Sequence, residues 1–391
     1  MRDLGRLTLL FLGAAIIIAS AVLVTGGYAR ALPYLGDAGS ATLSVFGLWL
    51  IALPLVGIAA VLGAGRRGRA ATILTGLGIA TALGAGIATA QMVQAANDAG
   101  AIIDLVEAFS VSKLGPVAVD ATTEYARSAQ GPLKAAIYRP RGSKRPAPVL
   151  VYVHGGGWIA GSRTDRGQDM RWFADHGWLT IAVDYTLSSE QVHLWNLTIR
   201  QIGCSLAWVA RNSARYGGDA GRLSLFGDSA GGNLVINAGY MANQRTLRSS
   251  CGGKVPHVAT VVAMYPVVDV AASKDNADAL LGAFARYLTA AYTGGTPRQY
   301  PDRYAAVSSA THINPAAPAT LIIVGTNDHL VSPEGAYAFA DKARTAGIEV
   351  RLVRFPHGEH GFDAVDGGIG DQLARQATYM FLKAHGQAPA P

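Results

Sequence analysis

The sequence predicts an α/β domain, a mostly parallel sheet with helices on both faces and a helical cap, preceded by three transmembrane helices. Three observations predict it. Uncharged apolar stretches fall at 7–24, 41–64 and 70–90. Beyond residue 120, short apolar strands alternate with helical patterns. One of those strands runs straight into "LFGDSAGGNL" (225–234), a serine set among glycines and alanine.

A membrane-spanning helix needs about 20 apolar residues, range roughly 17–25, and each of the three stretches fits. The chain of 391 residues is 50% hydrophobic and 15% charged, and the apolar excess lies before about residue 92. Gly76, Ala80, Gly84 and Ala88 recur every four residues, which predicts a small-residue face for close helix packing. The first stretch could also serve as a signal peptide, because Arg2 and Arg6 precede it and Ala29-Arg30-Ala31 resembles a cleavage site. Two later spans make cleavage unnecessary.

The net charge of +7 invites a nucleic-acid reading. However, Arg66, Arg67 and Arg69 cluster between the second and third spans, and Arg2 and Arg6 sit at the N-terminus. Basic loops mark the cytoplasmic side of a multi-pass membrane protein. The N-terminus and the Arg66–Arg69 loop are therefore expected inside, and everything after residue 91 outside. With no aromatic-plus-basic RNA motif in the chain, the expected partner is a membrane and not a nucleic acid.

The domains follow: a membrane domain over 1–91, an amphipathic linker over 92–119, and a catalytic domain over 120–391 with a cap insertion at about 271–316. Within the linker, "AIIDLVEAF" (101–109) places Ile102, Leu105, Val106 and Phe109 at helical spacing. Such a helix either packs on the following domain or lies at the membrane surface. After Asp120, "LKAAIYRP", "PVLVYVHGGG" and "WLTIAVDY" read as strands, rich in β-branched and aromatic residues. The helical pattern "IRQIGCSLAWVARNSARYG" comes next, followed by "RLSLFGDS", a helix from about Gly231, "VATVVAMYPVVD", "ATLIIVGTND" and "EVRLVRFPHGEH". This alternation means a parallel sheet covered on both faces, and continuous apolar strands agree with that.

The chemistry centres on Ser229. Gly227-x-Ser229-x-Gly231 directly after an apolar strand is the pattern of a nucleophile elbow, a sharp strand-to-helix turn that exposes the serine. Glycines flank it because the turn leaves no room for side chains. A serine hydroxyl needs a base and a group to orient that base, in the chain order Ser, Asp or Glu, His. Asp328 ends the strand "ATLIIVG" and His360 follows "EVRLVRF". Asp269 is the rival acid and His357 the rival base. His357, Glu359 and His360 lack a third, distant metal-ligand pattern, so no metal is expected. "HGGGW" (154–158) offers successive unencumbered amides; Gly155 and Gly156, with the N–H of Ala230, are the expected oxyanion donors.

With "HGGG" and "GDSAGG" in place, the chain resembles the hormone-sensitive-lipase-like branch of the α/β-hydrolase superfamily, bacterial esterases and lipases, over roughly residues 120–385. The resemblance implies a cofactor-free carboxylester hydrolase with a cap over its site. Two departures stand out: "DYTLSSE" (184–190) where many relatives read "DYRLAPE", and Gln201 where an Asp is common. The membrane bundle is absent from most relatives. In the resembled fold the helices before and after the nucleophile strand are neighbours. The two cysteines of the chain, Cys204 and Cys251, are therefore expected to form a disulfide on the oxidising side, the alternative being two unpaired thiols. An acyltransferase using the same triad on a cell-envelope alcohol, or a non-catalytic receptor on the same fold, are the rival readings. The substrate expected is an ester, with lipid or envelope esters favoured by the membrane. Leu280, Phe284 and Tyr287 either line an acyl pocket or form the core of the cap.

Overall fold

The structure, a computed structural model, describes residues 2–65, 68–110, 117–141 and 146–389. Arg66 and Arg67 of the basic loop, and the side chain of Arg2, lie outside the described residues.

The three apolar stretches form helices longer than the stretches themselves: α1 (Arg2–Tyr28), α2 (Leu35–Gly63) and α3 (Arg69–Asp98). Each is long and apolar enough to cross a membrane, with mean hydropathies of 2.7, 2.5 and 1.7, and only 17–28% of each apolar window is buried. Phe11, Val56 and Leu83 are among the many side chains that point outward, a contiguous apolar surface of the kind that requires a partner or a bilayer. The helices touch where side chains are missing. A Cβ on Gly13 would lie 2.6 Å from the Gly57 carbonyl oxygen, and one on Gly39 would lie 2.5 Å from Gly26 Cα.

The series Gly76, Ala80, Gly84, Ala88 forms the packing face expected of it only in its later half, where Ala88 is fully buried and Gly84 lies against Val24. Gly76 and Ala80 are exposed, and a Cβ on Gly76 would meet nothing within 4 Å. A four-residue step overshoots the 3.6-residue turn by about 40°, so the series starts on the exposed side and reaches the buried stripe only at its end. That stripe includes Gly78, Thr81, Ala82, Ala85, Ala88 and Thr89.

At 30 residues, α3 is about 45 Å long, more than a hydrocarbon core of about 30 Å requires. Its last turns leave the bundle, and Met92 and Ala96 are buried in the core of the following domain. Residues 92–98 therefore continue a helix instead of opening a linker. The expected helix over 101–109 is shorter than its periodicity indicates: α4 covers Leu105–Phe109, with Asp104 as its cap. Ile102, Leu105 and Val106 are exposed, while Phe109 stacks on Trp49 of α2 at 4.4 Å.

The remaining chain builds an eight-stranded sheet from β1 (Ala121–Ser128), β2 (Gly131–Tyr138), β3 (Ala147–Val153), β4 (Leu179–Val183), β5 (Gly218–Asp228), β6 (Thr260–Met264), β7 (Ala319–Gly325) and β8 (Val350–Phe355). Its order is β1-β2-β4-β3-β5-β6-β7-β8. β1 and β2 pair antiparallel, as do β2 and β4, and every later pairing is parallel.

Successive residues of a strand face opposite sides. Val149, Val151 and Val153 of β3 join one core and Leu150 and Tyr152 the other. The first core is covered by α6 (Thr198–Asn212), α7 (Ala230–Asn243) and α10 (Pro333–Thr345); the second by α5 (Gly167–Asp175), α11 (Ile369–Ala384) and the end of α3. The cap region holds two further helices, α8 (Gly282–Thr293) and α9 (Pro301–Val307). Cys204 on α6 and Cys251 beyond α7 form a disulfide, with Cα atoms 5.4 Å apart.

Candidate active site

The loops after β5, β7 and β8 all open at the C-terminal edge of the parallel sheet, where α/β proteins bind ligands. Ser229 stands between β5 and α7 with φ 53° and ψ −119°, a left-handed conformation that costs a non-glycine residue on the order of 1–3 kcal/mol. The neighbouring glycines make the bend possible. A Cβ on Gly231 would lie 2.1 Å from the Val153 carbonyl oxygen, and one on Gly227 would lie 2.5 Å from that of Gly231. The Ser229 amide donates to Met264 at 2.9 Å, tying the turn to β6.

The structure brings Ser229, His360 and Asp328 into one hydrogen-bonded chain. His360 Nε2 is 2.9 Å from Ser229 Oγ, and His360 Nδ1 is 2.7 Å from Asp328 Oδ2. The other carboxylate oxygen of Asp328 accepts from the Val331 amide at 2.7 Å. Burial alone would lower the pKa of the imidazole, but the Asp328 charge and its hydrogen bond outweigh burial and lift His360 above the ordinary histidine value. The ring of Tyr265 meets His360 edge-on at 4.6 Å.

The rivals lie elsewhere. Asp269 caps the turn at Ala272, with 3.1 Å to its amide. His357 faces Gly27 and Gln91 of the helical bundle.

Gly155 and Gly156 follow β3, and Gly156 and Gly157 adopt φ of 93° and 60°, which favour glycine. The loop is fixed from behind. His154 stacks on Tyr185 at 4.1 Å, and the Tyr185 hydroxyl lies 3.1 Å from the carbonyl oxygens of both His154 and Gly155. Ala230 is the first residue of α7, so its N–H is among those left free at a helix start, where partial positive charge gathers.

The cap approaches from the far side, with Trp158 stacked on Tyr292 of α8 at 4.4 Å. The cleft beside Ser229 is lined by Trp158, Val267, Ala285, Leu288 and Val331 and measures about 20 Å³, room for about one water. Leu280, Phe284 and Tyr287 occupy neither of their expected places. They are exposed on the outer face of the cap, and Ala285, Leu288 and Thr289 supply the inward face.

Sequence reasoning missed Glu359. Its Oε1 accepts from the amides of His329 and His360 at 2.8 and 3.0 Å, and its Oε2 bonds the His329 ring. Nothing in "PHGEHGF" distinguishes that glutamate from a solvated one.

Gln201 and Thr186, the two departures from the family pattern, turn out to be one. The Thr186 amide donates to Gln201 Oε1 at 2.9 Å and Gln201 Nε2 donates to Thr186 Oγ1 at 2.7 Å. A neutral buried pair stands where the resemblance leads one to expect Arg and Asp.

Among the described residues, Asp37, Asp278 and His329 bring ligand-type atoms within 4.8 Å of one another. Both ring nitrogens of His329 are already engaged, with Glu359 and the Arg30 carbonyl. The group lies outside the chain that reaches Ser229.

The BD-FAE family model matches residues 135–343, more than half of the chain. Esterase LipC of Mycobacterium tuberculosis is 30% identical over 244 residues, 62% of this chain and 59% of LipC. Carboxylesterase NlhH of the same organism is 28% identical over 237 residues, 58% of this chain and 70% of NlhH. The chain thus spans little over half the length of LipC. The solved structure of a thermophilic esterase from Thermogutta terrifontis, Est2 with propionate bound, aligns with a TM-score of 0.58 at 23% identity, covering 69% of this chain and 96% of that one. That likeness shows the fold.

Proposed function

The chain belongs to the BD-FAE family of α/β-hydrolases, and we propose that it is a membrane-anchored serine carboxylester hydrolase working through an acyl-enzyme. One observation carries the proposal: the unbroken hydrogen-bonded chain from Ser229 through His360 to Asp328. Ser229 Oγ attacks the ester carbonyl carbon while His360 Nε2 takes its proton. Gly155, Gly156 and Ala230 donate N–H bonds to the oxyanion of the tetrahedral intermediate. The intermediate collapses, the C–O bond to the alcohol breaks, and His360 returns the proton to the leaving oxygen. A water then attacks the acyl-Ser229 ester, giving its proton to His360. The acid leaves and Ser229 Oγ is protonated again. Asp328 holds the imidazole in the tautomer this requires.

The bundle anchors this machinery at a bilayer, with the N-terminus cytoplasmic and the catalytic domain extracytoplasmic. The disulfide supports that side, because such bonds persist in oxidising compartments. Lipid or cell-envelope esters are the natural substrates of a site held there. Ser229→Ala in the full chain tests the reading: hydrolysis of a p-nitrophenyl ester disappears and the fold is retained. Turnover equal to that of the unaltered protein would refute the assignment of Ser229.

A further inference from the structure

Asp328 sits between two residues whose side chains leave the catalytic domain. Asn327 Nδ2 donates to the Gly27 carbonyl at 2.9 Å and to Ser40 Oγ at 3.0 Å. His329 Nε2 lies 2.9 Å from the Arg30 carbonyl. Gly27 and Ser40 belong to α1 and α2, and Arg30 to the turn between them, so the bundle holds the Asp328 backbone from both sides.

The loop that carries His360 is gripped in the same way. His357 Nε2 is 2.8 Å from Gln91 Oε1 on α3, its Nδ1 is 3.2 Å from the Gly27 carbonyl, and the Tyr28 ring packs against it at 4.8 Å. Short bonds then join the two loops. The Asn327 amide donates to Gly358 at 2.9 Å, the His357 amide to Thr326 Oγ1 at 3.0 Å, and Glu359 accepts from the amides of both His329 and His360. Arg30 adds a bond to the Thr326 carbonyl and an ion pair with Glu334.

We propose that the end of the helical bundle is a positioning device for the triad, with Asn327 and His357 as positioning residues whose partners lie on α1, α2 and α3. This rests on the assignment of Ser229, Asp328 and His360 above. The physical case is one of tolerance. A displacement of about 1 Å in catalytic geometry costs on the order of a hundredfold in rate. Loops keep such precision only where a second set of bonds locks them.

These two loops take much of that lock from the bundle. Asn327 is buried, so its amide cannot exchange those partners for water at no cost. An apolar bundle end offering a bare Gly27 carbonyl, a serine hydroxyl and a glutamine to one asparagine and one histidine does more than adhere. It fixes where Asp328 points.

The test uses the full-length protein in detergent micelles, with kcat, KM and the pH profile for a soluble p-nitrophenyl ester. Asn327→Leu keeps the branched shape and removes both bonds to the bundle, together with the 3.2 Å contact of Asn327 Oδ1 with Thr326 Oγ1. The expected kcat falls about 10- to 100-fold, with KM within about twofold. The acid limb of the profile moves to lower pH, because Asp328 is the largest charge that lifts His360; Glu359 and Asp228 are the other charges facing it. Ser40→Ala, altered on the bundle side, moves both quantities the same way by a smaller amount, and Ser40→Thr, which keeps the hydroxyl, restores them.

An Asn327→Leu protein with unchanged kcat and acid limb but a lower unfolding midpoint would overturn the proposal and leave the seam as adhesion only. If Asn327→Leu does not fold, Ser40→Ala combined with Gln91→Leu decides on the same two readouts. Turnover surviving in Ser229→Ala would instead overturn the triad assignment beneath it.

Discussion

The bundle and the sheet domain are both built from apolar sequence, and they use it in opposite directions. In α1–α3 the buried share of each apolar window is 17–28%, so the helices turn most of their Leu, Ile and Val outward. In β3, β4 and β6 every residue is buried. Hydrophobicity alone therefore does not tell a membrane helix from a core element; what the apolar face meets does. In lipid no hydrophobic force holds helices together, and contact falls to glycines that let backbones touch. In water the sheet excludes solvent from both faces, and most of the polar side chains it buries are paired. Between the two regions runs a polar seam, where Asn327, His329 and His357 meet the bundle and Arg30 reaches back to Thr326 and Glu334.

The largest effect that would sharpen this contrast lies in the paired interior. Asp328→Asn keeps the shape but removes the charge facing His360, and kcat is expected to fall about a thousand- to ten-thousand-fold. The sign of the pH effect follows from the raised pKa of His360. The imidazole must be neutral to act as base, so activity is present above that pKa and lost as pH falls through it. Without the Asp328 charge the acid limb moves to lower pH. A limb that stayed in place in the residual activity would remove Asp328 from its role.

The disulfide comes next. With Cys204 and Cys251 separated by 47 positions in sequence, loop-closure entropy puts the contribution of the bridge at about 4 kcal/mol. Cys204→Ser with Cys251→Ser is expected to lower the thermal midpoint sharply while kcat stays within about twofold. Calorimetry with and without reductant reads it, and an unchanged midpoint would show that the bridge does not constrain the unfolded chain.

The bundle answers to a smaller change. Gly13→Leu forces a side chain where a Cβ alone would come within 2.6 Å of Gly57, and overpacking of that kind costs about 1–3 kcal/mol. Thermal stability in micelles is expected to drop, with kcat on a soluble ester retained, because Gly13 lies toward the end of the bundle remote from the seam. Loss of activity in parallel with the bundle's stability would break the contrast, making the two regions one cooperative unit.

How legible these features are in the sequence depends on range. The elbow reads directly from "GDSAGG" because backbone crowding at one turn dictates the residues; Gly231 against Val153 is the case in point. The parallel strands read from their continuous apolar runs. β1 does not, since "ATTEYARS" is an edge strand with a half-exposed alternation and little hydrophobic signal. The far end of α3 is hidden because "QMVQAAND" is polar on average, and only its docking on α11 and β8 makes Met92 and Ala96 core residues. The orientation of the cap is hidden too: Phe284 and Ala285 differ by 100° around α8, and hydrophobicity favours the wrong one for the cleft. The seam is invisible for a different reason. Asn327 and Gly27 are 300 positions apart, and nothing local to either names the other.

The smallest effect concerns the neutral pair in the sheet domain. Thr186 and Gln201 are buried, and each makes two bonds to the other. Thr186→Val keeps the shape and the backbone bond but withdraws the oxygen that Gln201 Nε2 donates to. One buried donor is then unmatched, a cost of about 1 kcal/mol, or roughly 2–4 °C in the midpoint of a domain of this size. Adding Gln201→Leu removes the orphaned donor but strands the Thr186 amide, so the double variant is expected to lose less than the sum of the two single ones. Catalysis is expected to be untouched, because the pair reaches neither Ser229 nor His360. Additive losses in a thermal double-mutant cycle would mean that the two residues do not act as a pair.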